Sequence, residues 1–131
     1  MANESILVVD DQIMNLKLLK LLLELEGYRV ETAGNAEETF RALQSFRPRL
    51  ILMDLRLPGL DGIELTKKIK ADPQTKDIPI LLVTSYIQPG EEERALEAGC
   101  DGYFSKPIDT QKLPALIARH LGEDNPRKEK S

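Results

Sequence analysis

Residues 5–11 read SILVVDD, an uncharged and mostly aliphatic run that ends in two adjacent carboxylates, Asp10 and Asp11. Two more runs share this form, RLILMD at 49–54 and PILLVT at 79–84, ending in Asp54 and Thr84. Continuous aliphatic runs of this length fit strands buried on both faces, as in a parallel sheet sandwiched between helices. YRVETA at 28–33 alternates apolar with polar residues, which makes it an edge strand, and GYFS at 102–105 supplies a fifth strand. Segments 13–26, 36–46, 62–71 and 90–98 lie between the strands, with 110–121 after the last, and each carries helical periodicity or a helix-start signal. Asn35 with Glu38 and Asp61 with Glu64 match capping boxes, while Gly27, Gly99 and Gly122 stand where left-handed helix ends are expected. Pro114 removes a backbone donor near the start of the last helix and predicts an irregular or 3₁₀ first turn. Five strands in strict alternation with five helices predict an α/β protein with a doubly wound parallel sheet.

A length of 131 residues fits one domain with a single core. With 41% hydrophobic and 31% charged residues and a net charge of −4, the chain has the balance of a globular protein and lacks the basic excess of nucleic-acid binders. No basic segment followed by an apolar one opens the chain, and no apolar run approaches the roughly 18 residues of a membrane span, so a cytoplasmic location is expected. A single cysteine, Cys100, makes no internal disulfide and has no histidine near it in sequence, which fits a small packed residue. His120 falls in the last helix, away from the strand ends, and reads as a surface residue. The tail EDNPRKEKS at 123–131 has nothing apolar to bury and is expected to be disordered.

Ligands of doubly wound sheets bind beyond the carboxyl ends of the strands. Here those ends carry Asp10 and Asp11, Asp54, Thr84 and, after the fifth strand, Lys106. An aspartate after a strand often does no more than cap the next helix. Complementary residue types at four separate strand ends argue for a common site instead. Three carboxylates brought together resist full ionisation unless a cation compensates them. An all-oxygen donor set without histidine or thiolate suits a hard ion, and a small acidic cleft suits Mg²⁺ better than Ca²⁺ or zinc. A carboxylate beside a metal, an ammonium and a hydroxyl are the parts that stabilise a transferring phosphoryl group, with Asp54 as nucleophile.

The motifs VVDD at 8–11, MDLRLPGLDG at 53–62, VTS at 83–85 and FSKP at 104–107 resemble those of the receiver domains of two-component response regulators. The resemblance covers about residues 4–122 and implies a receiver domain over 1–122 followed by the 123–131 tail. It implies the flavodoxin-like (CheY-like) fold with strand order 2-1-3-4-5. It implies that Asp54 is the phosphoacceptor, that Asp10, Asp11, Asp54 and the Arg56 backbone carbonyl hold Mg²⁺, and that Lys106 pairs with the phosphoryl group. Thr84 and Tyr103 match the switch residues, Gly62 the point where the loop after the acceptor closes into the third helix, and the Lys106–Pro107 peptide a cis bond. DDQIMN at 10–15 is similar to the start of single-domain receivers of the cell-division type and of receivers attached to hybrid kinases. Leu57 replaces a frequent methionine at nearly constant volume. Arg56 and Tyr86, both large, occupy the positions that line the path of hydrolytic water in this family, so slow self-dephosphorylation is expected.

The first helix carries more leucine than one buried face needs. Leu16, Leu19, Leu22 and Leu23 fall on one side, while Ile13, Met14 and Leu21 fall on the other among Lys17, Lys20 and Glu24. The second group reads either as a docking surface for a histidine kinase or histidine phosphotransfer protein, which in receivers meets this helix, or as packing against a neighbouring helix. The expectation is a monomer or weak dimer that binds a downstream protein, touches neither membrane nor nucleic acid through this domain, and turns over no external substrate. An aspartyl phosphatase would need a carboxylate two residues beyond Asp54, where Arg56 stands. A flavin-binding module would need a glycine- and hydroxyl-rich loop where DDQIMN is acidic. A phosphorylation-independent scaffold is the remaining alternative.

Overall fold

The computed structural model describes residues 4–85, 88–106 and 109–121. Tyr86, the Lys106–Pro107 peptide, Gly122 and the 123–131 tail lie outside the described residues. The elements run β1 (Ser5–Val9), α1 (Ile13–Leu25), β2 (Arg29–Ala33), α2 (Ala36–Ser45), β3 (Leu50–Asp54), α3 (Gly62–Ala71), β4 (Ile80–Thr84), α4 (Glu91–Ala98), β5 (Gly102–Ser105) and α5 (Leu113–Leu121). All strand pairs are parallel and the order is β2-β1-β3-β4-β5, which puts the alternating strand at an edge as its pattern requires.

Strand alternation sorts the aliphatic runs into two cores. Leu7, Val9, Ile51, Met53, Ile80 and Leu82 pack on one face with Ile63, Leu65 and Ile69 of α3 and Ala95 and Ala98 of α4, joined by Phe40 and Leu43 of α2. Ile6, Val8, Leu50, Leu52, Leu81 and Val83 pack on the other with Leu23 of α1 and Leu113, Ile117 and Leu121 of α5. Every residue of β3 and β4 is buried, because each side chain of a central strand meets a helix layer on its own side.

Local signals fixed the helix ends. Asn35 Oδ1 accepts the Glu38 N–H at 2.8 Å, and the Glu38 carboxylate reaches back to the Gly34 N–H at 2.7 Å. Asp61 Oδ1 caps α3 through the Glu64 N–H at 2.9 Å. Gly27 and Gly99 take positive φ beyond α1 and α4, a conformation that a side chain would strain. Helix α5 begins at Leu113, after a turn in which the Lys112 N–H donates to the Asp109 carbonyl at 3.0 Å, the tight i to i−3 pattern that Pro114 led one to expect.

The order in which strands are added reverses between β1 and β3, since β1 is followed by a crossover to β2 on one side while β3 to β5 extend on the other. The register that pairs Val9 with Met53 sets Asp10 level with Asp54 at this switch point. Gly62 closes the loop after Asp54: its N–H donates to the Leu55 carbonyl at 2.7 Å. A Cβ there would lie 2.9 Å from the Asp54 carbonyl oxygen and 2.9 Å from Leu55 Cα, backbone atoms with no freedom to retreat. Gly62→Ala is therefore expected to destabilise the fold by about 1–3 kcal/mol, a typical overpacking cost, seen as a lower urea midpoint.

Candidate functional site

Asp10 leaves β1 buried and is held on three sides. Its Oδ1 accepts the Gln12 N–H at 2.9 Å, and its Oδ2 lies 3.3 Å from both Asn15 Nδ2 and Lys106 Nζ. Asp54, also buried, ends β3; its Oδ1 accepts the Arg56 N–H at 3.2 Å and its Oδ2 stands 3.3 Å from Lys106 Nζ. Lys106 follows β5 directly, and its own N–H donates to the Thr84 carbonyl at 2.8 Å, so the fourth strand fixes where the lysine stem begins. Thr84 itself is fully buried at the end of β4. Asp11 is exposed, yet oxygens of Asp10, Asp11 and Asp54 all lie within 4.8 Å of one another. Beside the cluster opens a cleft of about 370 Å³ whose walls include Asn15, Leu18 and Leu19 of α1, Ser85 and Thr110.

Burial pushes the Asp54 carboxyl above its ordinary range; the Arg56 N–H and the Lys106 charge offset part of this, and the Asp10 charge adds to it. Burial alone would lower the Lys106 ammonium, but the charges of Asp54 and Asp10 outweigh it and its pKa rises. Lys106 therefore stays charged between two carboxylates whose repulsion it reduces. Three carboxylates with exclusively oxygen donors form a set that fits a hard divalent cation. Their oxygens lie within 4.8 Å of one another, near enough to share one ion.

Tyr103 lies outside this cluster, packed against the core beneath α3 and α4. Its hydroxyl donates to Glu91 Oε1 at 3.3 Å, and Glu91 in turn is clamped by the Arg56 guanidinium. Burial and the Glu91 charge push the Tyr103 hydroxyl up to about 12. Burial would raise Glu91, but the Arg56 hydrogen bonds overcome it and hold the carboxyl below its usual range. Cys100 is buried and its thiol is pushed up to about 11 by that burial, which makes it an unreactive packing residue. His120 packs edge-on to Phe104 at 6.1 Å and is remote from the acidic cluster.

Ile13, Met14 and Leu21 are exposed on α1, so they do not pack against a neighbouring helix; Leu18 and Leu25, which the sequence reading did not single out, are exposed with them. Asn15 and Glu91 are further residues that sequence reasoning passed over. Asn15 stood in the DDQIMN stretch as part of a spacing, without an assigned contact. Glu91 stood only at a helix start, and nothing in the sequence links position 91 to position 56.

A 2-1-3-4-5 parallel sheet with an acidic cluster and a lysine at the switch point defines a CheY-like α/β protein. The chain belongs to the response regulator receiver domain family, which it matches over residues 6–118. Among its relatives, the polar-differentiation response regulator DivK of Brucella anthropi is 38% identical over 120 residues, covering 92% of this chain and 98% of that protein. The CheY-like receiver domain protein of Methanospirillum hungatei superposes with a TM-score of 0.86 at 34% identity, covering 97% of this chain and 98% of that one. The receiver domain of a sensor histidine kinase from Pseudomonas aeruginosa, solved with a magnesium ion coordinated in its active site cleft, superposes with a TM-score of 0.82 at 32% identity over 92% of this chain and 99% of that one. No helix among the described residues is long and apolar enough to cross a membrane.

A tyrosine whose folded pKa lies near 12, above the roughly 10 of an unfolded chain, stabilises the fold fully below pH 10 and loses that contribution as pH rises through 12. Tyr103→Phe should accordingly lose less stability than the wild type between those limits, and should remove the tyrosinate absorbance step near pH 12.

Proposed function

We propose that this receiver domain is a phosphorylation-controlled switch in which Asp54 accepts a phosphoryl group from a histidine kinase or histidine phosphotransfer protein. The observation that carries the reading is the approach of Lys106 Nζ to 3.3 Å from both Asp10 and Asp54 at the switch point of the sheet. Asp54 Oδ attacks phosphorus in line as the bond to the donor imidazole nitrogen breaks, and the imidazole leaves with the electron pair. Lys106 offers a point charge to the phosphoryl oxygens, and the Thr84 hydroxyl, at the adjacent strand end, supplies a donor once it turns toward them. Asp10, Asp11, Asp54 and the Arg56 carbonyl would hold Mg²⁺, which when bound neutralises the charge that develops on the phosphoryl oxygens. The domain turns over no external substrate, and large residue types at positions 56 and 86 lengthen the life of the acyl phosphate.

The switch itself is a population shift: Thr84 and Tyr103 take new positions when Asp54 is loaded, and the surface around α4 and β5 changes its affinity for a downstream protein. The donor docks on α1. Met14, Leu18, Leu21 and Leu25 recur at spacings of four, three and four residues and form one exposed apolar stripe, with Ile13 beside its upper end. Leu18 also lines the cleft beside Asp10 and Lys106, which joins the stripe to the site. An apolar ridge of this pattern suits the groove between two helices of a partner.

Intact mass after incubation with acetyl phosphate tests the acceptor: a Mg²⁺-dependent gain of one phosphoryl group in the wild type and none in Asp54→Asn is expected, and no gain under any condition would count against it. Leu21→Glu tests the docking face. It should leave acetyl phosphate labelling intact while slowing transfer from the cognate donor by about tenfold or more, the effect of losing one buried apolar contact and burying a charge; an unchanged transfer rate would remove the face from consideration.

A further inference from the structure

Glu91 is a charged side chain buried at the first position of α4, and four parts of the chain meet on its carboxylate. Arg56 donates through Nη1 to Oε2 at 2.7 Å and through Nη2 to Oε1 at 2.9 Å, a two-point pairing that fixes orientation as well as distance. The Gln88 N–H donates to Oε1 at 3.2 Å from the loop after β4, and the Tyr103 hydroxyl donates to the same oxygen at 3.3 Å from β5. Arg94, one turn along the helix, stands 4.0 Å from Oε2 and is largely exposed.

Arg56 is anchored at its other end as well. Its backbone N–H donates to Asp54 Oδ1 at 3.2 Å. The residue that clamps Glu91 therefore also touches the reacting carboxylate, through a different part of its structure. Gly90 occupies the N-cap of α4 in a left-handed conformation and makes no side-chain cap bond, and the Glu91 N–H donates to the Gln88 carbonyl at 3.1 Å. The contacts on Glu91 tie the first turn to the loop after β3 and to β5. A buried carboxylate is stable only while its cationic partner stays with it, so Arg56 and Glu91 move together or not at all.

We propose that Glu91 is a positioning residue that couples the loading of Asp54 to the position of Tyr103, through the Arg56–Glu91 pair. The proposal rests on the reading of Asp54 as phosphoryl acceptor and deepens it by naming the route to the switch. Loading converts one carboxylate oxygen of Asp54 into the bridging oxygen of an acyl phosphate, which changes what the Arg56 N–H meets at Oδ1, and the loop carrying Arg56 adjusts. The guanidinium carries the Glu91 carboxylate with it, and the shift reaches the start of α4 and the Tyr103 hydroxyl at once. Because linkage is reciprocal, whatever secures Tyr103 on Glu91 also favours loading.

The test uses the full chain labelled with 3-fluorotyrosine, with beryllofluoride and Mg²⁺ as the probe for the loaded state and Tyr103→Phe to assign the fluorine signal. In the wild type the Tyr103 signal should shift on loading. In Glu91→Gln, which keeps shape but not charge, loading should still occur, with beryllofluoride affinity lowered by about tenfold, inside the usual range of coupling between linked sites, and the Tyr103 signal should no longer follow it. Arg56→Gln, altered on the partly exposed side of the pair, should uncouple Tyr103 in the same way and decides the matter if Glu91→Gln does not fold. A Tyr103 signal that follows loading in these variants as in the wild type would overturn the proposal and leave Asp54 as acceptor untouched. Failure of the wild type to take up either beryllofluoride or an acetyl phosphate phosphoryl group would instead overturn the acceptor reading itself.

Discussion

Lys106 places one ammonium 3.3 Å from each of two buried carboxylates, Asp10 and Asp54, that come from strands on either side of the switch point. Parallel pairing of β1 with β3 sets those carboxylates level, and like charges that close destabilise the end of a sheet unless they are compensated. The lysine arrives from the opposite edge, two strands away from Asp54, and its backbone is fixed by the Thr84 carbonyl. Strand order, register and the position of the fifth strand thus converge on one ionic contact. Burial keeps the Asp54 carboxyl above its ordinary range, the Asp10 charge adds to that, and Asp11 brings a further carboxylate on the solvent side. An acidic site with residual repulsion is a site that welcomes a cation.

Much of this was legible in the amino-acid order because the physics is local. SILVV, LILMD and ILLVT are continuous aliphatic runs because the sheet is covered on both faces, and RVETA alternates because its edge is half open. Asn35, Asp61, Gly27 and Gly99 each act within four residues of where they stand, so their roles could be read directly. The convergence of Asp10, Asp54, Thr84 and Lys106 was legible for another reason: polar residues at strand ends are conspicuous after aliphatic runs.

What stayed hidden depends on partners far apart in sequence or on boundaries that polarity does not mark. Glu91 sits among acidic neighbours, Glu92 and Glu93, and only the fold shows that this one is buried against Arg56 while the next two are exposed. Leu18 and Leu25 were not recognised as exposed because α1 is leucine-rich around most of its circumference, and the limit of its buried arc is set by where β2 and α5 lie. The exposed stripe that results is continuous with the cleft beside Asp10, so the same helix supplies a wall of the site and a surface outside it.

The measurement that bears most directly on this account is thermal unfolding of the chelator-treated wild type and of Asp11→Asn across a Mg²⁺ titration. Asp11 is exposed and belongs to the acidic cluster, so replacing it leaves the core intact. If the cluster is a cation site, the wild-type Tm climbs with the logarithm of Mg²⁺ concentration above the dissociation constant, and Asp11→Asn needs a higher concentration for the same rise. A Tm that ignores Mg²⁺, or an identical response in both proteins, would contradict it.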